Sequence, residues 1–267
     1  MKFSIKLLCL LIASLTCLTV FASCGKKNGS ENESKDDVNN QTNSEATQEG
    51  EDETLTDGVV ENVGKYNTSY TGSGKNINMI LVGREIGSMQ VSDFIACEGE
   101  SDYVLIKIKN YGEIVVVLRE DVAPQTVANF KSLVSNDFYT DTIFHRVMKN
   151  FMIQGGGYVV KDGVWASKKT DSIKGEFTQN GHVNNLDHVR GVISMARTVI
   201  PDSATSQFFI MHSNTSSLDG KYASFGYVLA GLDVVDAIAT CKVEGDANAP
   251  SPVEDVVIES MSFVIPK

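Results

Sequence analysis

The chain has 267 residues, 42% of them hydrophobic and 21% charged, with a formal net charge of −11 at pH 7. That acidity argues against nucleic-acid binding, and the length allows one domain with its own apolar core plus a long tail. Three of the five cysteines fall within the first 24 residues, which leaves Cys97 and Cys241 as the pair that could bridge in the remainder.

The chain opens with Lys2 and Lys6, runs apolar from Leu7 to Phe21, and then places Ala22-Ser23 before Cys24. A basic head, an apolar stretch and small residues in that order describe a secretory signal over residues 1–23. The apolar run is shorter than the ~20 residues a helix needs to cross a bilayer, so removal is favoured over a permanent span. Ala22-Ser23-Cys24 resembles the lipobox of bacterial lipoproteins, with Phe21 where that family usually has Leu. The resemblance implies a diacylglycerol thioether on Cys24 and an extracytoplasmic, membrane-anchored protein. Ordinary cleavage near Ala22, leaving a free Cys24, is the competing reading. An extracytoplasmic location would also permit Cys97 and Cys241 to pair, and the sequence leaves that open.

Residues 24–75 shift to Ser, Asn, Thr, Gln, Gly and acids. Between Lys26 and Glu61, eleven carboxylates face three lysines, so this stretch carries minus eight of the chain's minus eleven. So little apolar surface cannot offset the entropy of ordering, and the segment is expected to be a solvated, self-repelling linker. A coil of about fifty residues spans ~40 Å r.m.s.. Residues 76–100 are less readable: Ile77–Gly83 could add a strand, and "SMQVSDFIACEGE" either packs on the domain or continues the linker. No function is assigned to them.

From residue 101 the texture is that of a folded domain reaching to 267. Val104, Ile106 and Ile108 alternate, then Ile114, Val116 and Leu118, around the turn signal Asn110-Tyr111-Gly112; this predicts a hairpin. "APQTVANFKSLV" puts Pro124 in a first helical turn and spaces Val127, Phe130 and Val134 along one face. Short apolar runs follow at Gly191–Ala196, Ser206–His212, Ala223–Ala230 and Val256–Ile265, with a second helix spaced by Leu232, Val235 and Ile238. Many short strands and two helices in this length predict a mainly β, closed barrel-like domain, since closure removes exposed strand edges.

"FHRVMKNFMIQGG" (Phe144–Gly156), "GVISMAR", "SATSQFFIM" and "LDGKYASFG", in that order, resemble the cyclophilin family of peptidyl-prolyl cis-trans isomerases, from Asp102 to Ile265. The resemblance implies a closed eight-stranded antiparallel barrel capped by two α-helices, with the substrate groove on its outside. It implies Arg146 as the catalytic residue and Phe151, Met152, Phe209 and Leu218 as the lining of a proline pocket. Gln154 would stand beside the arginine, Ala196, Arg197 and Gln207 would hold the peptide on either side, and His145 and Tyr222 would complete the binding surface. No cofactor is implied. The partners would be proline-containing segments of exported proteins, and the domain a monomer. Ser217 and Tyr222 stand where many eukaryotic relatives have the tryptophan and histidine associated with cyclosporin, so strong binding of that drug is not implied. Arg197 replaces a common Asn, and the segment after Gly156 lacks the glycine-rich run of bacterial relatives and holds Trp165.

The residue types suit the chemistry on their own. Turning an X-Pro amide costs ~18–20 kcal/mol because it breaks conjugation, and no covalent bond need be cleaved. A permanently charged arginine and an apolar socket are sufficient for that, without nucleophile or metal. The four histidines match no metal-ligand spacing. Taken singly, Phe151, Met152 and Phe209 would be core residues and Arg146 a surface charge; their joint order favours an isomerase over a silent proline-binding module or a scaffold lipoprotein.

Overall fold

The computed structural model describes residues 86–267. The signal segment, Cys24, the acidic linker and Ile77–Gly83 lie outside these residues. Among the described residues there are twelve strands: β1 (Phe94–Ala96), β2 (Tyr103–Ile108), β3 (Gly112–Leu118), β4 (Thr142–Met148), β5 (Met152–Lys161), β6 (Val164–Ser167), β7 (Val192–Met195), β8 (Phe208–Met211), β9 (Ser224–Ala230), β10 (Val243–Glu244), β11 (Ser251–Pro252) and β12 (Val256–Pro266). The helices are α1 (Pro124–Ser135) and α2 (Leu232–Ala239).

Pairing runs β12-β2-β3-β9-β7-β8-β5-β4, and β4 pairs back to β12, so eight antiparallel strands form a closed ring. Strand β12 makes the closure. Its first two residues pair with β4 and its following residues, from Ile258, with β2, with an irregularity between Ile258 and Ser260 just past the change of partner. The β2–β3 hairpin turns at the foreseen place, with Asn110 in the left-handed region at φ 67°.

The lumen is filled by side chains, as an eight-stranded ring of this size requires. Ile106, Ile114, Val116, Phe208, Ile210 and Val228 are all fully buried. Helix α1 closes one side through Phe130, whose ring lies 5.1 to 5.8 Å from Phe225, Tyr139 and Phe208. Its N-cap position is Ala123, which offers no side-chain acceptor. Glu176 supplies one from a distant loop, accepting from the Gln125 and Thr126 amides and the Thr126 hydroxyl at 2.8–3.0 Å. A buried carboxylate is thus held by donors at a helix N-terminus. Helix α2 buries Val234, Val235, Ile238 and Ala239.

Residues 86–96 pack on the ring. The Gly87 and Met89 amides donate to Val228 and Leu229 of β9, and β1 then pairs with the end of β12. Phe94 enters the core at 7% exposure. Cys97 and Cys241 are unbridged thiols.

Candidate active site

Three strand pairings bring the candidate residues together. Arg146 on β4 lies opposite Gln154 on β5, Gln154 opposite Phe209 on β8, and Phe209 opposite Ser194 on β7. Directly paired residues share a face, so these four form one row across the outside of the ring. The adjacent row, Val147, Ile153, Ile210 and Ile193, is at most 1% exposed and belongs to the core. The period of two along each strand therefore separates chemistry from core.

Regular alternation would have put Arg146 on the same face as the buried Phe144. The β4–β5 register slips by one between Phe144 and Arg146, leaving His145 as an extra residue. That bulge re-aims the arginine outward while Phe144 and Val147 both stay in the core. Gly155 makes room for it: a Cβ there would stand 3.0 Å from the Ile143 carbonyl oxygen and the Phe144 ring.

The guanidinium of Arg146 is held on two sides. Its Nε and Nη2 donate to the Asn248 carbonyl at 3.2 and 2.9 Å, and its Nη1 donates to Gln154 Oε1 at 3.3 Å. Gln154 Nε2 donates onward to Gln207 Oε1 at 3.0 Å, and the Gln207 carbonyl accepts from the Ala196 amide at 2.9 Å. A polar chain thus runs from Arg146 through both glutamines to the end of β7. Beside it lies the apolar part. The Phe151 ring centroid is 5.8 Å from Arg146 Cζ, and the Phe151 carbonyl accepts from the His212 amide at 2.9 Å. Met152 is 1% exposed and pairs with Met211 and Met148, so it underlies this surface.

Phe209 is backed by His188, stacked at 5.9 Å and 18°, and met edge-on by Tyr222 at 5.7 Å and 86°. His188 Nδ1 and Nε2 sit 3.0 Å from Asp219 Oδ1 and Ser194 Oγ. Burial lowers the His188 pKa, and the hydrogen bond and charge of Asp219 partly restore it. Leu218 ends a 3-10 turn immediately before Asp219.

Two residues named by the resemblance are placed differently from the rest. The His145 ring turns to Tyr158 at 4.7 Å and Trp165 at 6.4 Å, and its Nδ1 is buried without a hydrogen-bond partner. Arg197 directs its guanidinium at the Lys221 and Thr198 carbonyls and lies over the Phe177 and Tyr222 rings. Sequence reasoning missed Asn248, His188 and Asp219. Asn248 acts through its carbonyl, which any residue would supply, and so left no trace. The order His188, Ser194, Asp219 held no signal either, because only the fold joins them.

The family model for cyclophilin type peptidyl-prolyl cis-trans isomerase/CLD matches residues 103–263. The chain is 47% identical over 135 residues to a peptidyl-prolyl cis-trans isomerase of Acinetobacter baylyi, covering 49% of this chain and 68% of that protein. It is 41% identical over 167 residues to peptidyl-prolyl cis-trans isomerase B of Escherichia coli, covering 57% of this chain and 94% of that one. Among solved structures it resembles a cyclophilin type isomerase of Cryptosporidium parvum, determined in the presence of the dipeptide Ala-Pro. The TM-score is 0.50 at 27% identity, over 60% of this chain and 98% of that one.

Proposed function

The chain belongs to the cyclophilin type peptidyl-prolyl cis-trans isomerases, and on that footing we propose that it turns X-Pro bonds of exported proteins outside the cytoplasm, tethered to the membrane by a lipid on Cys24. The observation that carries the reaction is the outer row itself, a fixed cation, an amide side chain and an aromatic ring on three adjacent strands, with the Gln207 amide bonded beside it. The Ala-Pro dipeptide present with the Cryptosporidium parvum relative supports a proline-containing ligand here.

In either planar ground state the prolyl nitrogen shares its lone pair with the carbonyl and is a poor acceptor. At the half-turned geometry the pair is localised and can accept a hydrogen bond. Arg146 donates to it there, so the contact exists only in the transition state and lowers the barrier selectively. The Asn248 carbonyl and Gln154 hold the guanidinium in advance, so little reorganisation accompanies the reaction. Phe151, Phe209 and Leu218, over Met152, seat the pyrrolidine ring while the acyl side rotates. Gln207 and the backbone at Ala196 hold the flanking peptide.

Cis-to-trans rates of a short Ala-Pro peptide, with wild type and Arg146→Ala at matched concentration, test this. Loss of one preorganised donor of this kind costs about a hundredfold or more in kcat, with the fold intact. A wild type that binds the peptide without accelerating it would make the domain a silent proline-binding module. Equal acceleration by the variant would remove Arg146 from the mechanism.

A further inference from the structure

Arg197 grips Tyr222 at two points. Its Nε and Nη2 donate in a fork to the Lys221 carbonyl at 3.0 and 2.7 Å, fixing the peptide unit that leads into Tyr222. Its Cζ lies 4.7 Å from the Tyr222 ring centroid and 4.7 Å from that of Phe177, which is anchored in the core at 2% exposure. Nη1 donates to its own chain at the Thr198 carbonyl, 2.9 Å away. A planar guanidinium that spends three N–H bonds on backbone carbonyls while resting on two rings is configured as a clamp. The Arg197 guanidinium thereby ties together the segment around Phe177, the end of β7 and the segment entering β9.

The clamp bears on the apolar pocket through one ring. Tyr222 meets Phe209 edge-on and His188 at 6.4 Å and 78°, so its position sets how far the Phe209 wall can lean. We propose that Arg197 is a positioning residue of the proline pocket, acting on the substrate through Tyr222 and Phe209 rather than by holding the peptide. This rests on the isomerase reading of the same groove. It replaces the direct peptide contact that the family resemblance implied for Arg197. Arg146 acts on the turning amide and governs kcat, whereas Arg197 shapes the socket for the ring and governs binding.

A double-mutant cycle on the full chain separates the two roles. KM and kcat are read on an Ala-Pro peptide, and the peptide's Kd is read by calorimetry. Arg197→Gln is expected to raise KM and Kd about fivefold, the worth of a partly desolvated cation–ring contact, with kcat unchanged within about twofold. Tyr222→Ala gives the same pattern and Tyr222→Phe, which keeps the ring, restores wild-type values. The double variant Arg197→Gln with Tyr222→Ala is no weaker than Tyr222→Ala alone, because the arginine acts through a ring already gone. Effects that multiply would overturn the proposal and return Arg197 to direct contact with the peptide. An Arg197→Gln variant with unchanged KM and Kd would also overturn it, leaving Arg197 no part in binding. If thermal unfolding shows Arg197→Gln to be poorly folded, Arg197→Lys, which keeps the charge and loses the fork, takes its place in the cycle. A wild type that binds without turnover would defeat the catalytic assignment alone, since Kd still reads the coupling.

Discussion

His145 and Arg146 are neighbours on the bulge of β4, yet they have opposite relations to charge. Arg146 is always cationic. Burial lowers the His145 pKa from its ordinary 6.5 to about 4, with the nearby Ile143 backbone opposing the shift in part and the adjacent Arg146 charge adding to it. The imidazole is therefore neutral at pH 7, and the groove keeps a single dependable cation beside the glutamines. The consequence for stability has a definite sign. Between pH 6.5 and 4 the unfolded chain binds a proton at His145 that the native state refuses, so stability falls as pH drops through that window, by up to ~1.4 kcal/mol per unit from this group. Below about 4 both states are protonated and the contribution levels off. His188, also lowered, adds in the same direction. Urea midpoints of wild type and His145→Phe, measured from pH 7 down to 4.5, should diverge, the variant losing less stability as the pH falls. At pH 7 the variant should lie within about 1 kcal/mol of wild type or above it, since Phe removes a buried nitrogen that has no partner. Parallel loss in both proteins would mean that His145 titrates normally in the fold.

At the scale of elements, the site depends on how β5 pairs with β4. Phe144 pairs with Gly155 and Thr142 with Val159, so three residues of β5 are accommodated against one of β4. Gly156 and Gly157 lie in that excursion and are glycines for different reasons. Gly156 has φ 81°, and a Cβ would stand 2.9 Å from ring atoms of Phe208 and Tyr139, both locked in the core. Gly157 has ordinary backbone, but a Cβ would overlap the Gln207 side chain at 2.4 Å. Gly156→Ala is thus expected to lower stability by ~2 kcal/mol or more, seen as a lower denaturant midpoint. Gly157→Ala should leave the midpoint nearly unchanged and weaken peptide binding, because a mobile glutamine, not the core, has to give way. Similar midpoints for the two variants would sink this distinction. The same stretch marks the limit of sequence reading. The β2 strand of the Asn110 hairpin and both helices were legible from their periodic apolar positions, and β7, β8, β9 and β12 as short apolar runs, the first three buried at every residue. The bulge at His145 breaks the period, so the outward turn of Arg146 was legible only through its motif. Strands β6, β10 and β11 are short and largely polar or exposed, and no periodicity announced them. Glu176 as the cap of α1 could not be read, since its partners are 50 and 51 residues away.

For the whole molecule, the position of the groove decides what the tether has to achieve. A filled ring has no lumen for a polypeptide, so under the proposed function an X-Pro segment would lie along the outer face of β4, β5 and β8 and be reached from solvent. A domain pressed flat on a bilayer would risk covering that face. The sequence before the domain suits stand-off instead: minus eight of the chain's minus eleven lies between Lys26 and Glu61. If the segment is the coil that its composition leads one to expect, it would extend by self-repulsion beyond a ~40 Å r.m.s. span and be repelled by anionic lipid. Under the proposed lipidation, Cys24 then fixes the protein to the membrane while leaving the groove exposed to clients. The mature N-terminal peptide, recovered from the membrane fraction and analysed by mass spectrometry, should begin at Cys24 and carry a diacylglyceryl thioether. Cys24→Ala should lack that mass and fail to partition into detergent, while the excised domain keeps its wild-type rate on the Ala-Pro peptide. An N-terminal peptide that starts elsewhere, or that starts at Cys24 with a bare thiol, would end the lipid-anchor reading and leave the isomerase reading standing.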